Sequence, residues 1–369
     1  MTELSERMNL VNSIEQNRGY PLDQRVREAF LKVSRYHFVP QYFVREQPML
    51  WGCHDTHEIV YQDRTFVTKV NEKQMPCSSS SQPSIMAAML EALDLFPGAR
   101  VLEIGTGTGY NAALLAEIVG ESGSVMSVDV DEDLAHLAEQ RLTEAGYSNV
   151  QVVHTDALAA IPSGLFDHLI LTGGYPRVLP IWIAALNAEG KMVGNMLGTL
   201  ATYLFCLKRH ADEMTGSVIP TQGFFMCLYP HEDVDKDTIA PGARIDLSPF
   251  KTMPVSETGN TDSFVAALDD LSLQLFLECQ LPGIRMRIHY LGGPPNDWRS
   301  FARCLVYANS LATLSPVTEK EYAVEVRGSF PLWSHLQRLY RQWESLGKPA
   351  IQQYQISLVD GNCTLSYST

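Results

Sequence analysis

The sequence predicts an α/β fold built on a doubly wound sheet, followed by a smaller α+β region. Three observations carry that prediction. Residues 101–104 form an apolar run broken by Glu103, glycines fall at 105, 107 and 109, and an apolar helical pattern follows through Ala112, Ala113, Leu114, Leu115, Ile118 and Val119. This reads as strand, tight turn and helix, because glycine takes backbone angles closed to other residues and lets a ligand approach bare main chain. Beyond it, the apolar run 124–129 ends in Asp129, where such a sheet places a carboxylate able to hold ribose hydroxyls. Two more strands are expected, at 150–157, carrying Asp156 and Ala157, and at 166–172, ending at Thr172 before a loop over Gly173, Gly174, Tyr175 and Pro176. All four loops fall at the carboxyl ends of strands, where open α/β sheets bind ligands.

The remaining elements follow in order. Residues 1–76 read as an N-terminal, mainly helical segment on the substrate side. Cys77 and four serines (78–81) precede Gln82 and Pro83, and then Ile85, Met86, Met89, Leu90 and Leu93 recur at helical spacing. The serine run offers hydroxyls at a helix entrance and also reads as a flexible loop before a capped helix. Residues 185–193 lead into a fifth strand, and 224–228 are apolar enough to close a core. Pro241, Gly242, Pro249 and Pro254 mark a linker within 235–255. Past it, 264–278 is expected as helix then strand, with strands at 285–290 and 304–307 and a helix over 332–349. A hairpin over 354–367 would turn at Asp360 and Gly361. The expected regions are 1–76, a catalytic domain over 77–230, and an appendage over 231–369 that acts as a lid, a dimer surface or a peptide holder.

Composition excludes several classes. At 369 residues and 45% hydrophobic, the chain can bury one large core or two moderate ones. A net charge of −14, from 28 basic against 42 acidic residues, argues against a nucleic-acid surface. No apolar stretch has membrane-span length, and the N-terminus shows no signal-peptide pattern. Seven scattered cysteines fit a reduced, cytoplasmic protein. No metal is expected: Cys53, His54, Asp55 and His57 lack ligand spacing, and the calcium-like run from Asp233 has Thr238 and Arg244 where glycine and glutamate are needed.

The turn spacing, G-x-G-x-G behind Glu103, differs from the dinucleotide pattern G-x-G-x-x-G, although a nicotinamide dinucleotide remains the competing ligand. It resembles the first motif of class I S-adenosylmethionine (SAM) methyltransferases, which implies a Rossmann-like sheet. SAM has a sulfonium and an amino-acid end instead of a pyrophosphate, so acids beside the turn are tolerated. The resemblance implies cofactor contacts from Glu103, Gly105, Thr106, Gly107, Gly109, Asp129, Val130, Asp156, Ala157 and Thr172. Asp156 reads equally well as a helix cap.

Ser81-Gln82-Pro83 before this turn, with the V-x-R-x-x-F-V-P pattern over 33–40 and the segments 185–193 and 224–228, resembles the protein-L-isoaspartate O-methyltransferases across 25–230. That family carries Thr-Ile-Ser-x-Pro with the serine at the reacting carboxyl. The likeness therefore implies Ser81 as the catalytic contact, assisted by Ser79 and Ser80. The chain departs from the family at Ser79 and Ser80, at Gly173–Pro176, and at 193–196, and it continues well past 230. The serine run and the tail resemble family homologues that tailor ribosomally made peptides of the lanthipeptide and graspetide type. The implied partner is a peptide or protein bearing aspartate or isoaspartate, including a cyclised precursor peptide. General isoaspartate repair is the alternative, and a non-catalytic SAM- or peptide-binding module is the alternative of another class. A carboxylate with a pKa of about 4 is already ionised and needs no general base. Amine acceptors are disfavoured because the loop after the fourth strand lacks an Asn/Asp-Pro-Pro-aromatic sequence.

Overall fold

In a computed structural model of the chain, the described residues are 2–47, 50–211, 213–221, 223, 225, 247–261, 263–294, 297–359 and 362–368. They form two compact units, one comprising 1–195, 204–228 and 358–362, the other 196–203, 229–357 and 363–369.

The first unit begins with helices α1 (Glu3–Arg18), α2 (Gln24–Lys32) and α3 (Arg35–Phe38), whose N-caps Thr2, Asp23 and Ser34 each accept a backbone N–H. Strands β1 (Gln41–Gln47), β2 (Leu50–Asp55), β3 (Phe66–Val70) and β4 (Pro76–Ser80) form a sheet of order β2-β1-β3-β4. The sequence led us to expect helix here and a loop at the serines. The strands escaped notice because β1 and β2 are mostly exposed and lack apolar alternation.

Helix α4 (Pro83–Leu93) follows, then β5 (Arg100–Ile104), α5 (Tyr110–Val119), β6 (Ser124–Asp129), α6 (Glu132–Glu144), β7 (Val150–His154), β8 (Phe166–Tyr175), α7 (Pro180–Ala184), β9 (Leu186–Leu197), β10 (Thr202–His210) and β11 (Glu213–Val218). Seven neighbouring strands run in the order β11-β10-β9-β8-β5-β6-β7. β5 pairs in parallel with β6 and β8, and β6 with β7. Strand order reverses at the β5/β8 boundary, which opens a crevice at their carboxyl ends. β8 continues through Tyr175, so Gly173 and Gly174 lie in strand where a loop was expected. Helix α5 is apolar almost all round and buries every residue except Glu117. It shares one core with Phe30, Phe38, Met89, Leu90 and Leu204.

Arg35 is the most unusual member of this unit. It is completely buried, and no salt bridge to it is found among the described residues. Its Nη1 donates to the carbonyls of Val60 and Gln62, each at 2.9 Å. Its Nη2 donates to the carbonyls of Arg64 and Ser81, each at 3.0 Å, and to Ser80 Oγ at 3.3 Å. The Phe66 ring lies 5.0 Å from the guanidinium carbon, within cation–π range. Burial lowers its pKa to about 10. One planar fork thus ties the 60–64 loop to the end of β4.

The second unit contains α8 (Ser248–Lys251), β12 (Val255–Thr261), α9 (Ser263–Ala267), α10 (Leu271–Gln280), β13 (Arg285–Tyr290), β14 (Phe301–Tyr307), β15 (Ser310–Pro316), β16 (Tyr322–Arg327), α11 (Leu332–Ser345), β17 (Tyr354–Val359) and β18 (Asn362–Tyr367). Its five-stranded antiparallel sheet has the order β12-β16-β15-β14-β13. Residues 264–278 form two helices, where helix then strand was expected. Asp270 starts the second by accepting from Ser272 N at 2.8 Å, and a capped start outweighs the run's apolar continuity. Ser272 also receives Trp343 Nε1 on its Oγ at 3.0 Å and Tyr354 O–H on its carbonyl at 2.7 Å. The expected Asp360-Gly361 turn and most of the 224–228 and 235–255 segments lie outside the described residues.

Replacing Arg35 with Met strands several buried carbonyls. We expect a loss of about 3 kcal/mol, read by chemical denaturation, with Arg35→Lys intermediate because lysine lacks the planar fork.

Candidate active site

Glu103 is the penultimate residue of β5 and is fully buried. Its Oε1 accepts from Asn111 Nδ2 at 2.7 Å and its Oε2 from Ser127 O–H at 2.5 Å. Burial pushes its pKa up to about 7, opposed by those two hydrogen bonds. Glu103 therefore sits beneath the turn and holds Asn111 in place. Gly105 has φ +105°, and a Cβ there would meet Thr172 Oγ1 at 2.4 Å. That hydroxyl is directed to the carbonyls of Ile104 (2.9 Å) and Gly105 (2.6 Å), fastening the turn to β8. Thr106 Oγ1 lies 2.6 Å from Ser127 Oγ.

Gly107 donates its N–H to Asp129 Oδ2 at 2.8 Å, and Asp131 N–H reaches Asp129 Oδ1 at 3.0 Å. Burial raises the Asp129 pKa against these bonds. Each oxygen keeps a further lone pair for a ribose hydroxyl. Gly109 is the N-cap of α5, and Val130 beside Asp129 is 50% exposed. Asp156 Oδ1 accepts from Leu158 N–H at 2.9 Å, closing a turn over 157–159 where the sequence had also allowed a helix start. Ala157 is buried, with its carbonyl taking Trp182 Nε1–H at 2.8 Å.

Facing the turn is β4. Alternation along the strand splits the serines, with Ser78 and Ser80 buried and Ser79 and Ser81 partly open. Ser80 is committed to Arg35, which leaves Ser79 and Ser81 as the freer hydroxyls. A cleft lined by Ser79, Ser80, Ser81, Gly107, Asn111 and Phe225 has a cavity volume of about 40 Å³ and opens to solvent. Asp63 orders its floor by accepting from Ser84 N–H at 2.8 Å and Gln82 Nε2–H at 3.3 Å. Asn195 Oδ1 accepts from Phe225 N–H at 3.2 Å. On the opposite flank, Lys69 Nζ lies 2.7 Å from both Asp131 oxygens and 3.1 Å from Asp133 Oδ2.

Sequence reasoning missed Asn111, Arg35, Asn195 and Lys69. Only Arg35 carried a signal, within the 33–40 pattern. Asn111 bears most directly on cofactor fit. It is 9% exposed, its amide nitrogen donates to Glu103 Oε1, and its Oδ1 is left without a partner among the described residues. An orphaned acceptor lining a cleft next to a glycine turn suits the ammonium of an amino-acid end. The turn supplies bare main chain, and Asp129 supplies ribose acceptors. These residues fit SAM.

Asn111→Leu is expected to weaken SAM binding about 10-fold, the loss of one charge-assisted bond, read by calorimetry. Glu103 carries a second expectation. Folded, it keeps its proton to about pH 7, whereas its ordinary value is 4.5. The folded state therefore binds more protons in that window, and stability falls as pH rises through it. Glu103→Gln should remove this decline in denaturation curves taken from pH 5 to 8.

With the fold and cleft described, known proteins can be set beside them. A family model described as Protein-L-isoaspartate(D-aspartate) O-methyltransferase (PCMT) matches residues 5–228. A Methanococcoides burtonii protein-L-isoaspartate O-methyltransferase is 36% identical over 172 residues, covering 46% of this chain and 75% of that protein. The Thermotoga maritima protein of the same name is 32% identical over 175 residues, covering 47% of this chain and 51% of that protein. A solved protein-L-isoaspartate O-methyltransferase shares the fold with a TM-score of 0.56 at 21% identity, across 98% of this chain and 100% of that one. The chain belongs to the protein-L-isoaspartate(D-aspartate) O-methyltransferase family, and its cofactor is S-adenosylmethionine.

Proposed function

We propose that this chain methylates a carboxylate of an isoaspartyl residue in a peptide or protein, with Ser81 and Ser79 orienting the acceptor. One observation carries the reading. The described lining of the cleft holds serine, threonine, glycine, asparagine, tyrosine and apolar side chains, with no Asp, Glu, His, Lys or Arg among them. Such a site has no base to activate an amine or a hydroxyl. It suits an acceptor that arrives ionised.

SAM supplies an electrophilic methyl group. The chain supplies placement. Ser79 and Ser81 donate hydroxyl hydrogens to the carboxylate, while Met86, Met89, Ile170 and Phe225 exclude water from it. A desolvated, aligned pair can draw about 7–11 kcal/mol of barrier reduction from proximity alone. Asp129, Asn111 and the amides of the turn hold the cofactor, with Gly105, Thr106, Gly109, Val130, Asp156, Ala157 and Thr172 shaping its bed. The ester formed is neutral, so its hold on the serine hydroxyls weakens. Attack by the next backbone nitrogen then expels methanol and closes a succinimide, which water reopens.

A second reading, aspartate methylation in a constrained ribosomal peptide, draws on the second unit. That unit has an open cavity of about 770 Å³ lined by Lys251, Asn260, His289, Thr313 and Arg327 among others, which offers room for a peptide. Weighing against it, a solved chain named for isoaspartate methylation matches this fold along 98% of its length. The extra length is thus no mark of tailoring by itself. We assign 1–76 and 77–230 to the substrate side and the catalytic core, 231–369 to peptide holding, and the chain to the cytoplasm on its scattered cysteines.

Mass spectrometry of incubations with SAM tests both readings. A gain of about 14 Da on a generic isoaspartyl peptide, or succinimide from it, is expected under the first, from the mass of one methylene. Modification confined to a cyclised aspartyl precursor would transfer the assignment to the second, and no ester on either would leave a non-catalytic module. Ser81→Ala should lower kcat/KM about 10- to 100-fold, the worth of one hydrogen bond to a charged group.

A further inference from the structure

We infer that Lys69 is a positioning residue that couples cofactor occupancy to the β3–β4 hairpin. Lys69 stands in β3 directly across from Ser78 in β4, with Val67 across from Ser79. Its ammonium grips Asp131 with both carboxylate oxygens at 2.7 Å. Asp131 does two further things. Its Oδ1 caps α6 by accepting from Leu134 N–H at 3.2 Å, and its own N–H orients the Asp129 carboxylate. The other Asp129 oxygen is held by Gly107 in the cofactor turn. A continuous chain of charge-assisted contacts therefore runs from β3, the partner of the strand that presents Ser79, to the acid that faces the ribose.

The geometry favours coupling over simple stabilisation. The Lys69 and Asp131 side chains are only 28% and 29% exposed, so the pair is partly shielded from salt, whereas Asp133 is 89% exposed and adds little. Ligand that fixes Asp129 also fixes Asp131, and with it the hairpin. Linkage makes the effect reciprocal, so an ordered hairpin tightens cofactor binding.

Hydrogen exchange of residues 66–80, with and without saturating S-adenosylhomocysteine, tests this. Exchange in the wild type should slow at least about fivefold on binding, the lower end of site–site coupling. Lys69→Gln should lose that protection and weaken S-adenosylhomocysteine binding about fivefold, while Lys69→Arg keeps both. Protection in Lys69→Gln equal to wild type, or none in wild type despite bound ligand, overturns the inference. Should Lys69→Gln not fold, Lys69→Met decides, since it keeps the aliphatic stem, removes the ammonium and must lose the protection. The inference builds on the cofactor site alone. No acceptor is present in the experiment, so the outcome stands even if isoaspartyl peptides prove not to be substrates.

Discussion

A single buried cation holds the acceptor side of the cleft in place. Arg35 makes no salt bridge among the described residues and is solvated by protein carbonyls, as an ion would be by water. Taking a charge out of water is unfavourable unless such ligands are already in position. The 60–64 loop and the end of β4 are therefore obliged to converge on it. Asp63, carried by that loop, then meets the start of α4 and sets where Gln82 and Ser84 lie. The serines face the glycine turn because the guanidinium leaves the strand no other seat.

Below the cleft the logic is inverted. Charges are present, but they are held one layer back. Glu103 works through Asn111 and Ser127, and Lys69 through Asp131. The cleft is uncharged in its described lining, so under the proposed function an entering carboxylate encounters donors and apolar walls without a competing anion. This layering separates the task of fixing geometry from the task of meeting the acceptor, and each set of residues can be tuned without the other.

The parts legible in the sequence were those with a backbone signature. Alternate glycines at 105, 107 and 109 and carboxylates at strand ends could be read because the turn admits few other residues. The sheet from β5 to β8 followed from that. The β1–β4 sheet was hidden, since an exposed strand such as β1 has no inward face to imprint an apolar rhythm. Asn111 was hidden for another reason: its meaning depends on Glu103 eight positions earlier in sequence, joined to it only by the fold. Asp156 looked ambiguous, and it closes a local turn on Leu158 where a helix start was one expectation. Serine identity was evident along 78–81. Which serine faces the cleft was not, because that depends on the strand's pleat.

That pleat has an evolutionary corollary. Side chains on a strand alternate with period two, so sliding β4 by one position against β3 would exchange the buried serines for the open ones. Ser79 would be sent toward the arginine, and Ser80, which already borders the cleft, would be released from Arg35. The β3–β4 turn, closed by Asn71 N–H on Met75 C=O at 2.9 Å, sets that phase. Length changes in this hairpin are thus filtered by parity: insertions or deletions of two residues preserve the facing pattern, and single ones invert it.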